Sequence, residues 1–358
     1  MISGGSPISV VPKPVSAGRA IHYRCPACER PIPWSASVLP DAWRLGGTLP
    51  SGEQEGLFGC PGCHAVYSLL HGLPCLMVDG DLRDAEPFLH HYEAVRDGEG
   101  MGLPLETVRW LPELPPHTYP RHLAALWRRR RQAYARLLGV VRQHGPDEDA
   151  GLNIVELGAG TGWLSWRLHN LGHQVVATDI CPSPRHGLGM ALRLPMTPPS
   201  GREQPRFICV QASMDRLPFP DQQFDIAVAA ASLHYARSVT RAVREAARVL
   251  APGGLLVLID TPLYETADGG ESVVARRLVE QRERFGSDGA GTIGPCFLVR
   301  ADLRRTFTLA GLRYQEIAVH GALRATTGGF RRRARRALHR PDLAIMPLVV
   351  GEKEGVSC

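Results

Sequence analysis

A glycine-rich turn between a strand-like run and a helix-like run constrains the fold of this chain more than any other feature. The turn occupies residues 155–162 with the sequence Val-Glu-Leu-Gly-Ala-Gly-Thr-Gly, and a helix-like segment follows over residues 163–171. Glycine adopts backbone conformations that are closed to other residues, and it has no Cβ to obstruct a ligand. A strand, a glycine turn and a helix in this order indicate a cofactor cradle.

The spacing of the glycines narrows the choice of cofactor. A dinucleotide fingerprint reads G-x-G-x-x-G and holds a pyrophosphate at the helix N-terminus. In this chain Gly158, Gly160 and Gly162 alternate with other residues, so Trp163 fills the position that the third glycine of the fingerprint would take. The pattern therefore disfavours pyrophosphate binding.

Four segments in a fixed order carry a resemblance to one enzyme family. The first is E-x-G-x-G-x-G, which begins at Glu156, and the second is an apolar run that ends in Asp179. The third is L-P-F-P-D-Q-Q-F-D from Leu217, and the fourth is E-A-A-R-V-L-A-P-G-G from Glu245. In this order the segments resemble the motifs of class I S-adenosylmethionine-dependent methyltransferases of the type 11-like group.

The resemblance implies an α/β fold, a doubly wound Rossmann-like methyltransferase sheet, and S-adenosylmethionine as cofactor. It places the cofactor at the carboxyl ends of the parallel strands, with the glycines against its methionine end and Asp179 on the ribose. Many relatives carry an adenine-binding acid where this chain has Ser213, which can accept one hydrogen bond. The expected cofactor-binding residues are Glu156, Gly158, Gly160, Gly162, Asp179, Ser213, Met214 and Ala231.

Two C-P-x-C knuckles near the N-terminus predict a second module. Cys25 and Cys28 form the first knuckle, and Cys60 and Cys63 form the second. Two such pairs can close a tetrahedral site around structural Zn²⁺, with four unliganded thiols as the alternative. His64 adjoins the second knuckle and is interpreted as a surface residue, although replacement of a thiolate by this histidine stays open. The segment 66–78 is similar to part of the small Trm112-like zinc ribbons.

Composition and charge set the remaining limits. A chain of 358 residues is long enough for about two domains, and it has no run of 18 apolar residues that would predict a membrane span. Residues 1–20 are interpreted as a flexible tail rather than a signal peptide, so the cytoplasm is the expected compartment. The net charge of +6 is carried almost wholly by arginine, with lysine only at positions 13 and 353. Such one-sided usage is a weak indication of nucleic-acid binding.

The sequence predicts the following organisation. A zinc ribbon occupies residues 21–84, a linker and helix residues 85–150, and the methyltransferase domain residues 151–353. The linker is expected to cross the surface as far as residue 120, and a helix is expected over residues 121–144.

Residues 261–294 are expected to form a helical cap, and Cys75 and Cys209 to be small core residues in strands. A helix over residues 301–311 precedes an expected antiparallel pair at 314–319 and 343–350. The isolated methyltransferase segment is expected to bind cofactor without the zinc module.

Three functions compete. The first is methyl transfer to a small-molecule acceptor, with His234 after the fourth strand as a candidate general base. The second is methylation of an rRNA or tRNA base, in which the arginines at 128–131 and 331–336 would contact phosphates. The third is a non-catalytic docking protein with a degenerate methyltransferase fold. The sequence favours the small-molecule enzyme and leaves the acceptor and the oligomeric state open.

Overall fold

The computed structural model describes residues 20–32, 56–145, 151–194, 207–286, 294–317 and 344–354. The N-terminal part contains β1 (Tyr23–Arg24), β2 (Pro31–Ile32), β3 (Gly56–Gly59), β4 (Val66–Leu70), β5 (Leu73–Cys75), α1 (Asp79–Gly98), α2 (Leu105–Val108) and α3 (Ala124–His144). The central part contains β6 (Asn153–Leu157), α4 (Trp163–Asn170), β7 (Gln174–Asp179), α5 (Leu188–Ala191), β8 (Ile208–Gln211), β9 (Phe224–Ala230), α6 (Val239–Val249) and β10 (Leu250–Ile259). The C-terminal part contains β11 (Leu263–Tyr264), α7 (Ala267–Phe285), β12 (Leu298–Val299), α8 (Arg300–Leu309), β13 (Leu312–Ile317) and β14 (Leu348–Lys353).

A ten-stranded sheet organises the molecule, in the order β13-β14-β10-β9-β6-β7-β8-β5-β4-β3. The five strands from β6 to β10 are parallel, and β6 lies between β7 and β9. All five residues of β6 are buried, as expected for a parallel strand covered by helices on both faces. Strand order reverses at β6, so the carboxyl end of β6 opens into the crevice where such sheets bind ligands.

The C-terminal elements follow the prediction closely. Strands β13 and β14 form an antiparallel pair, and β14 also pairs antiparallel with β10. Helix α8 lies at residues 300–309, against the expected 301–311, and α7 occupies most of the expected helical cap. The two core cysteines are also confirmed, because Cys75 in β5 and Cys209 in β8 are both buried.

The N-terminal module is continuous with the central sheet. Strand β5 lies parallel to β8, where Cys75 is the register partner of Gln211 and the amide of Leu76 donates to the Gln211 carbonyl at 2.8 Å. Tyr23 and Tyr67 belong to the same buried cluster as Phe219. The described parts of residues 21–84 therefore share a hydrophobic core with the central sheet.

The predicted surface linker is wrong in its first part. Residues 79–98 form the 20-residue helix α1, so the expected boundary at residue 84 falls inside a helix. Ala85, Phe88 and Val95 are its buried residues, spaced at three and seven residues along one helical face. Helix α3 begins at Ala124 and confirms the helix expected over residues 121–144.

Within the described ranges, no helix combines the length and the apolar composition that crossing a membrane requires.

Candidate active site

A cavity opens at the carboxyl ends of the parallel strands. Six of the predicted cofactor-binding residues line it, namely Gly158, Gly160, Asp179, Ser213, Met214 and Ala231. They come from the ends of β6, β7, β8 and β9, because parallel strands bring their carboxyl ends to one edge. The structure thus brings together residues that are up to 73 positions apart in the chain, from Gly158 to Ala231.

The glycine turn is built for close approach. Gly158, Gly160 and Gly162 have φ angles of +72°, +53° and +73°, in the left-handed region that glycine adopts most readily. An added Cβ at Gly158 would lie 2.5 Å from the Ser232 Cβ. At Gly160 the nearest atom to an added Cβ is the His186 carbonyl oxygen at 3.7 Å, an ordinary van der Waals contact. The positive φ of Gly160, rather than crowding, therefore favours glycine at this position.

Asp179 is held by the turn itself. One carboxylate oxygen accepts from the Gly160 amide at 2.7 Å, and the other accepts from the Cys181 amide at 2.8 Å. Burial raises the pKa of this carboxyl, and the hydrogen bonds from backbone amides oppose the rise. Each oxygen of a carboxylate has more than one acceptor site, so the bonds to backbone amides leave capacity for two hydroxyl donors.

Glu156 and Gly162 lie outside the cavity walls, unlike the other predicted cofactor residues. Glu156 is only 1% exposed, and one of its oxygens accepts from the Ser165 hydroxyl at 2.5 Å. Burial raises the pKa of Glu156 to about 8. An added Cβ at Gly162 would lie 2.6 Å from the Ala191 Cβ, so Gly162 packs against α5. Both residues support the turn from outside the cavity walls. Sequence spacing alone does not distinguish this supporting role from direct contact with a cofactor.

The cavity wall after β8 contains an acid, Asp215, that the sequence analysis does not predict as a site residue. Asp215 lines the cavity beside Ser213 and accepts hydrogen bonds from the amides of Arg237 and Ser238, at 3.1 and 3.2 Å. The Ser213 hydroxyl oxygen accepts from the Asp215 amide at 3.2 Å. Position 213 therefore holds no acid, and the acid of this wall is Asp215, whose carboxylate binds two backbone amides.

His234 does not line this cavity, although its neighbours Ser232 and Tyr235 do. The side chain is 5% exposed, and within the described part of the chain its Nδ1 has no hydrogen-bond partner. Burial, together with the nearby positive charges of Arg277, Arg96 and Arg130, lowers the pKa of His234 to about 3. The ring is therefore neutral at physiological pH and packs 4.2 Å from the Tyr235 ring, measured between centroids.

Helices α1 and α3 supply a second wall that the sequence analysis did not predict. Phe88, Tyr92 and Arg96 contribute from α1, and Trp127 and Arg130 from α3. The rings of Phe88 and Tyr92 are 5.5 Å apart, and both pack against Tyr235 at 5.7 and 6.4 Å. This wall is aromatic and cationic, in contrast to the glycine turn and acids at the strand ends.

One ion pair attaches α1 to the cofactor side of the cavity. His186 follows β7, lines the cavity and lies 2.6 Å from the Asp97 carboxylate through its Nε2. Arg185 contacts the same carboxylate at 2.9 Å. The loop after β7 and the end of α1 are therefore positioned together.

Four cysteines of the N-terminal module converge as the spacing predicts. The sulfur atoms of Cys25, Cys28, Cys60 and Cys63 all lie within 4.8 Å of one another. The Sγ atoms of Cys25 and Cys63 are 3.7 Å apart, and those of Cys28 and Cys60 are 3.5 Å apart. A tetrahedral Zn²⁺ with bonds of about 2.3 Å requires sulfur separations of roughly 3.8 Å, so the donor set fits this metal. His64 is exposed and is not part of this group of four.

The strand order, the glycine turn and the position of the cavity define a Rossmann-like fold of the methyltransferase type. Comparison with known families agrees at the level of the domain. Residues 155–258 match the family model described as methyltransferase domain. The matched segment runs from the start of the glycine turn to the end of β10.

Individual relatives match over the same part of the chain. An uncharacterised methyltransferase of Mycobacterium tuberculosis is 34% identical over 110 residues, which cover 31% of this chain and 40% of the relative. A ubiquinone/menaquinone biosynthesis C-methyltransferase of Shewanella frigidimarina is 34% identical over 121 residues, covering 32% and 45%. The crystal structure of YcgJ from Bacillus subtilis superposes with a TM-score of 0.42 at 17% identity, covering 61% of this chain and 97% of that one. The chain thus spans less than half the length of these two curated relatives.

Proposed function

We propose that this chain is an S-adenosylmethionine-dependent methyltransferase that acts on a small-molecule acceptor. The observation that carries the proposal is the pairing of Gly160 and Asp179. Both residues line the cavity, and the Gly160 amide donates to the Asp179 carboxylate at 2.7 Å. A nucleoside with two ribose hydroxyls matches this acceptor, because both carboxylate oxygens are available at the edge of the sheet.

The residues of the cavity divide the work of binding and orientation. Asp179 would hold the ribose, the glycine turn would contact the methionine end, and Ser213 with Met214 would form the adenine wall. When bound, S-adenosylmethionine supplies a methyl group that its sulfonium has already activated. The protein then needs to provide proximity, in-line orientation and a site from which water is excluded. Phe88, Trp127 and Tyr235 form apolar surface that serves this last purpose.

The enclosed second wall favours a small acceptor over RNA. Its two arginines are 16% and 14% exposed, so a ligand reaches them only by entering the cavity. Proteins usually bind the phosphates of an RNA backbone through exposed cations, which replace the counterions around the RNA. The relative from Shewanella frigidimarina is named for ubiquinone and menaquinone biosynthesis, which is small-molecule chemistry.

We also propose that the four converging cysteines hold one structural Zn²⁺ in a Trm112-like ribbon. Four thiolates fill all positions of a tetrahedral ion, so none remains for water or substrate. The metal would stabilise residues 21–84, whose strand β5 extends the central sheet, and would take no part in methyl transfer.

The cofactor proposal is tested with Asp179→Asn in the full chain. Loss of charge at this position should weaken binding of S-adenosylmethionine and S-adenosylhomocysteine by about tenfold to a hundredfold, since bonds to a charged acceptor are worth roughly 1.5–3 kcal/mol. Isothermal titration calorimetry measures both affinities. Asp221→Asn is the matched control, because Asp221 is 64% exposed and pairs with Arg248 outside the cavity. Equal affinities in the wild type and the Asp179 variant would refute the assignment.

A further inference from the structure

The proposed cofactor binding and methyl transfer use neither of the two arginines on the helical wall. Arg96 belongs to α1 and Arg130 to α3, and both line the cavity that contains Gly160 and Asp179. Their side chains are 16% and 14% exposed, so both guanidinium groups are largely removed from water. Removing a charge from water is costly unless an anion or hydrogen-bond acceptors compensate it.

The acidic partners of these arginines compensate them only in part. Asp260 contacts Arg130 through Nε at 2.8 Å, and Glu99 contacts Arg96 through Nη1 at 3.2 Å. Arg96 also forms a side-chain hydrogen bond with Tyr92. A guanidinium group has five N–H donors, so both arginines retain donors for a ligand. Neither Asp260 nor Glu99 lines the cavity.

The acids that do line the cavity are engaged elsewhere. Asp179 accepts from the glycine turn. Asp215 accepts from the amides of Arg237 and Ser238, and the Arg237 guanidinium lies 3.8 Å from Asp81. The acids of the cavity lining therefore have their own amide or arginine partners, whereas Arg96 and Arg130 pair with acids outside the lining.

Each of the two guanidinium groups lies over an aromatic ring, and both influence His234. Arg96 lies 4.9 Å above the Tyr92 ring, and Arg130 lies 4.7 Å above the Trp127 ring. Both arginines contribute to lowering the pKa of the buried His234 ring, so their charges reach one common region. An aromatic ring beneath each guanidinium group restricts its movement and leaves its N–H donors free to bind an anion.

We infer that Arg96 and Arg130 form a carboxylate-binding subsite. The inference rests on the proposed function. A planar guanidinium matches a carboxylate with two parallel hydrogen bonds, and the aromatic walls suit a flat organic body beside it. Two ligands can supply such a carboxylate: the acceptor, or the α-carboxylate at the methionine end of the cofactor.

The first arm of the test examines the cofactor as the source. Arg96→Gln and Arg130→Gln are compared in the full chain, with Arg136→Gln as control because Arg136 is exposed on the same helix as Arg130. Calorimetry measures S-adenosylhomocysteine and 5′-methylthioadenosine, which lacks the amino-acid group. If the cofactor supplies the carboxylate, affinity for S-adenosylhomocysteine falls at least tenfold while affinity for methylthioadenosine changes less than twofold.

The second arm examines the acceptor as the source. Benzoate and its neutral isostere benzamide are titrated into protein saturated with S-adenosylhomocysteine. If the acceptor supplies the carboxylate, benzoate binds the wild type at least tenfold more tightly than benzamide, and either arginine variant abolishes the difference. Arg96→Lys and Arg130→Lys retain the charge and restore part of whichever effect is seen.

The outcomes separate the subsite from the proposed function. The subsite is overturned if both arginine variants bind all four probes like the wild type, or if methylthioadenosine and S-adenosylhomocysteine lose affinity equally. Wild-type protein that binds neither nucleoside would instead overturn the cofactor site as a whole.

Discussion

The carboxyl group of Glu156 lies beneath the glycine turn, and its ionisation connects the turn to protein stability. Burial raises its pKa from 4.5 to about 8, so the folded protein retains a proton that the unfolded chain loses between those values. The stabilisation that the neutral Glu156 carboxyl provides is fully present below the pKa of the unfolded chain. It is lost as pH rises through about 8.

Glu156→Gln should remove this pH dependence, because the amide stays neutral. Between pH 5 and 8 the free energy of unfolding of the wild type should fall relative to the variant, by up to about 1.4 kcal/mol per pH unit. Urea unfolding of the ligand-free protein at several pH values measures the difference. Glu280→Gln, on the exposed face of α7, is the control and should follow the wild type. Parallel curves for wild type and Glu156→Gln would contradict the assignment of a buried neutral carboxyl.

The ionisation of His234 changes protein stability with pH in the opposite direction. Its folded pKa of about 3 is lowered by burial and by Arg277, Arg96 and Arg130. The unfolded chain therefore binds a proton that the folded protein does not, and stability is present above about pH 6.5 and lost as pH falls towards 3.

His234→Gln should change methyl transfer by less than tenfold and should reduce the loss of stability below pH 6.5. The reason is that His234 does not line the cavity and is neutral throughout the working range. Rate profiles and urea unfolding from pH 5 to 8 provide the two measurements. A loss of transfer of a hundredfold or more in a variant of normal stability would restore the general-base hypothesis.

At the residue level, local rules predicted the positions that backbone geometry dictates. The glycines were predictable because only they adopt positive φ readily, and Asp179 because it ends a buried strand. Arg96 and Tyr92 were not predictable, since nothing in their local pattern shows which face of a polar helix meets a cavity. Asp215 was missed because the motif was read at fixed spacing.

At the level of elements, α1 shows what sequence patterns leave out. Most of its residues are polar, and it contains Pro87, so it was interpreted as part of a linker. Its burial comes from tertiary partners, with Phe88 against Tyr235 and Asp97 against His186. Because α1 and α3 form walls of the cavity, the expectation that the isolated segment 151–353 binds cofactor needs revision.

The module with the four cysteines is linked to the wall of the cavity through short segments. The Arg24 amide donates to the Pro218 carbonyl at 3.0 Å, and Arg216 Nη1 donates to the Pro26 carbonyl at 3.1 Å. Arg216 and Pro218 follow directly after the wall formed by Ser213, Met214 and Asp215. Unfolding of the knuckles would therefore disturb the expected adenine wall.

A double variant, Cys25→Ser with Cys60→Ser, should lose zinc, melt at lower temperature and bind S-adenosylhomocysteine at least tenfold more weakly. Structural zinc contributes on the order of 10–16 kcal/mol of binding free energy to such modules, which is comparable to the stability of a whole domain. Elemental analysis, thermal melts and calorimetry give the three readouts. Cys296→Ser should retain zinc, because Cys296 lies outside the cluster. Normal cofactor affinity in the zinc-free protein would show that the module is independent.

At the scale of the whole molecule, one sheet carries both parts of the chain. The parallel strands β6 to β10 were predictable from alternating apolar runs and helices, and the antiparallel end from family resemblance. The pairing of β5 with β8 was not, because one register contact between segments more than 130 residues apart leaves no periodic signal. Strands β3 to β5 extend the sheet that carries the cavity, so the proposed zinc site would support the proposed cofactor site through that sheet.

The same organisation supports the proposal of a small acceptor rather than RNA. The arginines at 128–131 do not form one solvated face: Arg128 and Arg131 are exposed, but Arg130 lines the cavity, lies over the Trp127 ring and pairs with Asp260. The second arginine run, 331–336, lies outside the described residues. Most of the arginine side chains in the cavity wall therefore face the interior of the cavity. The backbone of an RNA does not reach this interior.

Replacing Arg128, Arg131, Arg331, Arg332 and Arg335 by Gln should accordingly leave methyl transfer within about threefold of the wild type. Transfer into a small-molecule extract fraction should also change little between 50 and 200 mM salt and should survive ribonuclease. An RNA enzyme that neutralises several phosphates would instead lose affinity by orders of magnitude over that range, because each contact releases a counterion. Labelled S-adenosylmethionine with fractionated extract distinguishes the two. Appearance of the label in ribosomal or transfer RNA, together with steep loss in salt and in the variant, would show that the acceptor is RNA.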